Sequence, residues 1–335
     1  MHATEAFTTR WKQQLVETAL AAHGLVASVT GVHTSPERSR RRAMLSGRRT
    51  KKGALVGFHA RASNTIIDLV ECHVIRAEIM AAVPLLRRVV MAGASRSAEL
   101  SICVIHGPAG LDVAIRGGKP MEPALFQALA AIADEGDLAR LDWDGQAITR
   151  RSPALQIGDA RVVPPPGSFL QATAEGEAAL LGCVQDFTAG AERIADLYAG
   201  IGTFSLPLAR RADVHAVEGL ASPLAALDAG WRAASGLRQV THEIRDLAAR
   251  PLLPDELARY DAIVIDPPRA GAEAQARAIA ASNVDHLAFV ACDPASFARD
   301  TRILVDGGYA LTRLFVVDQF RWSPHVEIAA EFRRR

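Results

Sequence analysis

Cys292 lies in the segment FVACDPA, between an apolar run and a proline that favours the first turn of a helix. The beginning of a helix carries positive potential, which lowers the pKa of a nearby thiol and favours the nucleophilic thiolate. Cys72, Cys103 and Cys183 lie in apolar contexts typical of inert core cysteines. Cys292 is therefore the candidate nucleophile.

A carboxylate, Glu327, lies in the apolar segment WSPHVEIAA near the end of the chain. In a strand over residues 322–330, alternation predicts Val326 and Ile328 on one face and His325 and Glu327 on the other. A carboxylate on such a strand is either at an exposed edge or placed for proton transfer. Both interpretations remain open for Glu327 at this point.

A glycine-containing loop, DLYAGIGTFS, spans residues 196–205 and joins a predicted strand to a helix. Gly200 and Gly202 allow the backbone to approach a ligand closely, and Thr203 is a candidate helix cap. A dinucleotide-binding loop would have a third glycine where Ser205 stands. This departure favours S-adenosylmethionine over NAD, because S-adenosylmethionine has no pyrophosphate; a plain tight turn is the alternative.

Two acidic residues follow later strands of the same predicted sheet. Glu218 ends the second strand, where a carboxylate can hold both ribose hydroxyls of an adenosine-containing cofactor. Asp266 opens the segment DPPRAG after the fourth strand, and its two prolines predict an extended, rigid loop. A purely structural turn would not need the arginine of this segment.

Basic residues cluster between positions 38 and 52 with no acid among them. They are Arg38, Arg40, Arg41, Arg42, Arg48, Arg49, Lys51 and Lys52. The cluster predicts either a strip that binds RNA phosphates or a solvated face. The net charge of the whole chain is only +1, so the distribution is more informative than the sum.

Composition excludes several classes of protein. The chain has 335 residues, of which 49% are hydrophobic and 22% charged, as in globular proteins with two domains. It contains no apolar stretch long enough for a membrane span and no secretory signal at its beginning. Its four cysteines form no CxxC pair, which disfavours a disulfide framework or a zinc site. We predict a cytoplasmic protein without a metal site.

The first half reads as half-buried antiparallel strands and a few helices. Strands are predicted at residues 25–32, 43–46, 54–58, 65–70, 99–105 and 111–115, and helices at 4–22, 77–89 and 123–133. The segment VVPPPGS at 162–168 breaks any element, because three prolines cannot continue a helix or a central strand. It predicts a boundary between an α+β domain over residues 1–164 and a second domain over 165–335.

The second half alternates strands and helices, as βαβ units on a parallel sheet do. Strands are predicted at 194–198, 214–217, 240–244, 262–265 and 287–291, with helices beginning near residues 173, 203, 221, 272 and 294. Ligands bind such sheets at the carboxyl ends of the strands. The candidate residues described above follow these ends, except Glu327.

In order and spacing, the motifs resemble those of the RNA 5-methyluridine methyltransferase family. The resemblance covers the second half through SFLQ (168–171), the glycine loop, DPPR (266–269), CDP (292–294) and PHVE (324–327). It also covers part of the first half, through the arginine run, residues 57–58 and DLVEC (68–72). It implies a Rossmann-like class I methyltransferase domain with a seven-stranded, mostly parallel sheet, preceded by an RNA-binding domain.

The resemblance also implies roles for individual residues. Cys292 would add to carbon 6 of a uracil, and Glu327 would act as the general base. S-adenosylmethionine would be the cofactor, and the residues that hold it or position the uracil would be Gln171, Tyr198, Gly200, Gly202, Thr203, Glu218 and Asp266. The partner would be RNA, from which the uridine is splayed; no membrane and no obligate protein partner are indicated.

Three departures from the family pattern bear on these expectations. Asp293 stands where the family usually has asparagine, and its charge would raise the pKa of the thiol unless a cation compensates. The resemblance would imply an N-terminal β-barrel RNA-binding module, and the sequence from residue 1 onward is expected to contain no counterpart of it. Of the cysteines that hold an iron–sulfur cluster in many members, only Cys72 is matched, so a cluster is not expected. Either the lineage lost it or the sequence begins downstream of the missing ligands.

The Cys72 match favours 23S ribosomal RNA over transfer RNA as the substrate, because it belongs to that branch. A tRNA uracil-5 methyltransferase is the nearest alternative. A class I methyltransferase for a small molecule or protein would need neither the cysteine nor the basic cluster. A non-catalytic RNA-binding descendant would bind the cofactor without turnover.

Overall fold

The computed structural model describes residues 3–335. Its α-helices are α1 (Glu5–Ala22), α2 (Ala77–Ala81), α3 (Val83–Gly93), α4 (Pro123–Glu135), α5 (Ala174–Phe187), α6 (Ser205–Leu208), α7 (Ala221–Ala233), α8 (Pro254–Leu257), α9 (Glu273–Ala280) and α10 (Pro294–Asp306). Its strands are β1 (Gly31–Thr34), β2 (Arg42–Arg49), β3 (Ala54–His59), β4 (Ile66–Asp68), β5 (Glu99–Gly107), β6 (Gly110–Arg116), β7 (Arg140–Trp143), β8 (Gln146–Thr149), β9 (Leu155–Ile157), β10 (Ala160–Val162), β11 (Arg193–Leu197), β12 (Asp213–Glu218), β13 (Val240–Ile244), β14 (Ala262–Ile265), β15 (His286–Ala291), β16 (Tyr309–Asp318) and β17 (Glu327–Arg334).

The larger of two compact units contains an eight-stranded sheet in the order β1-β16-β17-β15-β14-β11-β12-β13. Strands β11 to β15 pair in parallel, whereas β17 runs antiparallel to β15 and β16. Strand β14 is fully buried, as expected when helices cover both faces. The predicted mixed α/β class with a large, mostly parallel sheet is confirmed.

The observed sheet has eight strands, one more than the predicted seven. Strand β1 pairs in parallel with β16, from Gly31 opposite Phe315 to Thr34 opposite Asp318. The strand predicted at 25–32 is therefore wrong in its bounds, and its partner lies some 280 residues away. Because of this pairing, residues up to 35 belong to the larger unit with 156–162 and 175–335, which differs from a single boundary at 164.

The smaller unit comprises residues 36–155 and 163–174. Its seven-stranded sheet has the order β4-β3-β2-β5-β6-β7-β8, and all neighbours except β6 and β7 are antiparallel. Trp143 is fully buried in its core and donates its indole N–H to the Lys119 carbonyl at 2.8 Å. A Cβ at Gly93 or Gly118 would lie 2.1 Å from the indole ring, so this packing requires both glycines.

Several predicted helices and strands are present at the expected positions, but their first or last residues differ from the prediction. The helix predicted at 77–89 is two helices, α2 and α3, because Pro84 lies in the first turn of a new helix. The strand predicted at 65–70 shortens to Ile66–Asp68. Strand β16 and the strands between 140 and 162 were not predicted. Within residues 3–335, every helix is too short or too polar to cross a membrane.

Candidate active site

The candidate residues of the larger unit meet at one edge of its sheet. The carboxyl ends of β11, β12, β14 and β15 lead into the glycine loop, Glu218, Asp266 and Cys292. Glu327 begins β17, which is antiparallel, so its first residue lies at the same edge. The sheet topology therefore brings the predicted nucleophile, base and cofactor-binding loop together, although these segments are distant in sequence.

The register between β15 and β17 places Cys292 beside Glu327. Ala291 pairs with Ile328, so the next residue along β15 is Cys292 and the preceding residue of β17 is Glu327. The predicted strand over 322–330 begins only at Glu327, and residues 319–326 form a connecting segment. Val326, Glu327 and Ile328 are all buried, so both faces of the chain are covered here, and the predicted alternation of the side chains stays a prediction.

Asp293 is the N-cap of α10 and accepts hydrogen bonds from the Ala295 and Ser296 amides, at 3.1 and 2.9 Å. Asparagine and aspartate are equally favoured at this position. The aspartate that departs from the family pattern thus retains a structural role that either residue can fill.

The pKa of Cys292 is raised to about 11, chiefly by burial and also by the carboxylates of Glu327 and Asp266. The Arg269 guanidinium opposes this rise. The expected lowering of this pKa at the helix end is therefore wrong, because two acids from other strands and partial burial outweigh it.

Glu327 is 4% exposed. Burial raises its pKa well above the ordinary range, Asp266 adds to the rise, and Arg269 opposes it. A carboxyl with a raised pKa is better suited than an ordinary carboxyl to proton transfer at physiological pH. The exposed-edge interpretation of Glu327 is excluded, because the residue is buried between β15 and β16.

Arg269 is the cation that lowers the pKa of both groups. Its loop is held by α10: the Asp300 carboxylate accepts the Ala272 amide at 2.7 Å, and Arg299 donates to the Ala270 carbonyl at 2.9 Å. Arg269 itself lies 3.4 Å from Nδ1 of His325, which precedes Glu327 by two residues. The loop after β14 and the segment before β17 thus meet through this contact.

Glu218 organises the glycine loop. Its carboxylate accepts hydrogen bonds from the amides of Gly200 at 3.1 Å and Leu220 at 3.0 Å. Each carboxylate oxygen keeps a further acceptor position, as a ribose diol requires. Gly200 has a positive φ of 56°, and a Cβ added there would meet open space, so the loop leaves room on this side.

Asp196 lies at the base of the same loop and is fully buried. Its Oδ2 accepts the Ser205 hydroxyl at 2.5 Å, whereas Oδ1 has no hydrogen-bond partner among residues 3–335. Burial raises its pKa to about 7. Ser205, which stands where a dinucleotide loop would have its third glycine, therefore donates a hydrogen bond to Asp196. The sequence did not reveal this role.

Three further predicted residues have different outcomes. Tyr198 is half-buried in the loop with a positive φ of 64°, and burial raises its pKa to about 12. Thr203 does not cap a helix, because α6 begins at Ser205 and its N-cap is Phe204. Gln171 belongs to the smaller unit, where it is buried and its carbonyl accepts from Arg41 at 3.3 Å.

The residues of the basic cluster in the smaller unit differ in their environment: some are bonded to neighbouring groups and others are exposed to solvent. Arg40 and Arg42 donate to the carbonyls of Arg42 and Ser168, both at 2.9 Å, and Arg48 pairs with Glu99 at 2.7 Å. Arg38, Lys51 and Lys52 are exposed. The arginines with such bonds support the fold of the unit, while the exposed cations remain candidates for phosphate binding.

Cys72 is half-buried in the smaller unit. Within residues 3–335, no group of three or more His, Cys, Asp and Glu side chains is arranged to hold a metal ion. That the chain has no iron–sulfur cluster stays a prediction.

Comparisons with known proteins show similarity to RNA methyltransferases. A family model described as tRNA (uracil-5-)-methyltransferase matches residues 234–335. An uncharacterized RNA methyltransferase of Brucella suis is 43% identical over 321 residues, covering 96% of this chain and 77% of the relative. A 23S rRNA (uracil(1939)-C(5))-methyltransferase of Chromohalobacter salexigens is 34% identical over 311 residues, covering 86% and 63%.

A solved structure shows the same fold. It is the Pyrococcus abyssi tRNA (uracil-54, C5)-methyltransferase in complex with S-adenosyl-L-homocysteine, with a TM-score of 0.77 and 21% identity over 99% of this chain and 84% of that one. The sheet of the larger unit is thus that of S-adenosylmethionine-dependent methyltransferases. The RNA methyltransferase that is 43% identical over 96% of this chain, together with the uracil-5 family model and the uracil-5 methyltransferase that is 34% identical, shows that the chain belongs to the RNA (uracil-5-)-methyltransferase family.

Proposed function

We propose that this enzyme methylates carbon 5 of a uridine in 23S ribosomal RNA through a covalent bond between Cys292 and the uracil. The observation that carries the proposal is the β15–β17 register, which sets a half-buried thiol beside the buried carboxyl of Glu327. A methyltransferase acting on a nitrogen or oxygen atom needs no such pair. Carbon 5 of uracil does need one, because it becomes nucleophilic only after addition at carbon 6.

The loop after β11 fits S-adenosylmethionine. Glu218 would hold the ribose hydroxyls, and the unpartnered Oδ1 of Asp196 offers a buried acceptor at the base of the loop. Tyr198, Gly200, Gly202 and Thr203 would line the site, and Gln171 and Asp266 would hold the cofactor or position the uracil. When bound, S-adenosylmethionine supplies an electrophilic methyl group and leaves as S-adenosylhomocysteine.

The residues of this chain then act in sequence. Cys292 loses its proton to solvent, and the thiolate forms a bond to carbon 6 while the electron pair of the C5–C6 double bond moves toward oxygen 4. Carbon 5 of the enolate so formed would take the methyl group that bound S-adenosylmethionine supplies, with S-adenosylhomocysteine as the leaving group. Glu327 takes the proton from carbon 5, the double bond re-forms, and the C6–S bond breaks to release Cys292. One proton is released overall.

The RNA class rests on the 34% identical relative that acts on 23S rRNA and on the Cys72 resemblance. The exposed cations Arg38, Lys51 and Lys52 would bind phosphates, together with those parts of Arg40, Arg41, Arg42, Arg48 and Arg49 that reach solvent. A splayed uridine in a single-stranded loop would give both faces of the base to the site.

The test uses the purified wild-type chain, labelled S-adenosylmethionine and unmodified transcripts of 23S rRNA and of tRNA. The expected product is labelled 5-methyluridine in nuclease digests of the 23S transcript. Label only in tRNA would reassign the substrate to transfer RNA. Label in another nucleoside, or none with either RNA while the cofactor binds, would overturn the proposed function.

A further inference from the structure

Lys12 is a fully buried cation in α1, an element to which the proposed chemistry assigns no role. It lies on the same helix face as Val16 and Leu20, which are spaced four residues apart and are also fully buried. A lysine is rarely buried unless it is paired. The buried face of α1 thus carries a cation at Lys12, where an apolar side chain would be expected. The hydrogen-bond partners of Lys12 explain why a cation can be buried there.

The ammonium of Lys12 contacts three acceptors. It forms a salt bridge with the Asp318 carboxylate and donates to the carbonyls of Phe320 and His325, both at 3.0 Å. An ammonium has three N–H donors, so all of them are used. Burial lowers the pKa of Lys12, and the bond to Asp318 opposes this change.

All three acceptors belong to one short segment. It begins where β16 ends, at Asp318, and leads to Glu327, the first residue of β17. The Phe320 carbonyl also accepts the Ser323 hydroxyl at 2.9 Å, and Trp322 has a positive φ of 59°. Residues 319–326, which we call the base segment, therefore form a tight turn with Lys12 bonded at both ends.

The base segment also reaches the cation that acts on both reacting groups. The backbone carbonyl of His325 is bonded to Lys12, and Nδ1 of the same residue lies 3.4 Å from Arg269. Displacement of His325 would move the contact with Arg269 and the start of β17 together.

We propose that Lys12 is a positioning residue that fixes the base segment, and thereby Glu327 and Arg269, in the geometry needed to remove the proton from carbon 5. The inference rests on the proposed function and deepens it. Lys12 does not touch the reacting atoms. Its three bonds fix the residues that lead into β17 and therefore the position of Glu327, the first residue of that strand. Misplacement of a catalytic group by about 1 Å can cost a hundredfold in rate.

The experiment compares wild type with Lys12→Met, which keeps the length of the side chain and removes its donors. Removing one partner of a buried pair can destabilise a fold, so the double variant Lys12→Met/Asp318→Asn, which leaves no uncompensated charge, is included. Arg10→Met is the matched control, because Arg10 is an exposed cation of the same helix. Hydrogen exchange should increase at residues 319–327 in both Lys12 variants and stay unchanged elsewhere.

Kinetics then separates positioning from stability. With labelled RNA and S-adenosylmethionine, folded Lys12→Met and the double variant should lose about tenfold to a hundredfold in kcat. KM for S-adenosylmethionine should not change, and a methylated protein–RNA adduct should accumulate. Arg10→Met should behave as wild type.

Two results would overturn the inference while the wild type remains active. One is normal turnover in a Lys12 variant whose base segment exchanges faster. The other is a loss of turnover without adduct. A wild type that forms no 5-methyluridine would instead refute the proposed function itself.

Discussion

The proposed active-site edge of the larger unit and the basic cluster of the smaller unit both contain several charged groups, but these groups differ in their exposure to solvent. At the edge, Asp196 and Glu327 are buried, and burial raises their pKa values. In the cluster, Lys51 and Lys52 are exposed, and Arg48 is bonded to a partly exposed glutamate. Water and salt screen the second set and barely reach the first.

The difference separates two kinds of contribution. A buried carboxyl has a large effect on one reaction step, because no solvent compensates for its loss. An exposed cation adds a small, salt-dependent increment to RNA affinity that its neighbours can share. Single substitutions should therefore be decisive at the edge and graded in the cluster.

The largest effect is expected for Cys292→Ala, which should reduce turnover to background because carbon 5 is not activated without addition at carbon 6. Binding of RNA and S-adenosylmethionine should persist. Cys183→Ala is the matched control, because burial raises the pKa of this half-buried thiol to about 11 as well. Retained 5-methyluridine formation by Cys292→Ala in a digest assay would contradict the covalent route.

Glu218→Ala should weaken S-adenosylmethionine binding by roughly tenfold or more, because hydrogen bonds to a charged acceptor contribute about 1.5–3 kcal/mol each. Calorimetry measures this directly. Glu243→Ala, a change of another half-buried carboxylate at this end of the sheet, serves as control. Unchanged affinity in Glu218→Ala would place the cofactor elsewhere.

The pH dependence of kcat/KM should also distinguish the two regions. The pKa values of Cys292 and Glu327 are both raised in the free protein, and both groups must lose a proton to act, so activity should rise as the pH increases above neutrality. Arg269→Gln should move this rise to higher pH, because Arg269 lowers both pKa values. Arg277→Gln, at an exposed position, should not move it. A profile that falls across this range would contradict the assignment.

The smallest effect is expected for Lys51→Ala and Lys52→Ala. Each lost phosphate contact should make the slope of log affinity against log salt shallower by about 0.7–0.9. These lysines are better probes than Arg40 and Arg42, which bond to backbone carbonyls and whose loss would disturb the fold. The slope is measured by titrating the protein with RNA at several salt concentrations. An unaltered slope in the Lys51→Ala/Lys52→Ala variant would mean that the basic cluster is a solvated face and not a phosphate-binding strip.

The sequence was most informative where local pattern determines structure. The sequence predicted a strand ending at residue 291 and a helix beginning near Pro294, so that Cys292 lies between them, and it predicted that the glycine loop follows the strand that is β11. It was least informative where pairing is long-range. The neighbour of Cys292 depends on an antiparallel register with β17, and the pKa of the thiol depends on acids delivered by that register and by β14.

Buried polar partners were missed for the same reason. Lys12 and Asp318 are 306 positions apart, and nothing local to α1 indicates that its buried face carries a paired cation. Ser205 and Asp196 are nine positions apart, yet in the sequence Ser205 indicated only that the third glycine of a dinucleotide loop is missing. Strand β1 joins the larger sheet through pairing with β16, so residues up to 35 belong to the larger unit, which the three prolines at 164–166 do not indicate.

The separate roles of Cys292 and Glu327 are tested most directly by trapping the reaction between their steps. Glu327→Gln is incubated with labelled 23S transcript, with and without S-adenosylmethionine, and analysed on a denaturing gel and by mass spectrometry. We predict a protein–RNA band that requires the cofactor, carries one added methyl group and disappears in Cys292→Ala/Glu327→Gln. Normal turnover by Glu327→Gln without such a band would contradict the role of Glu327 as the base.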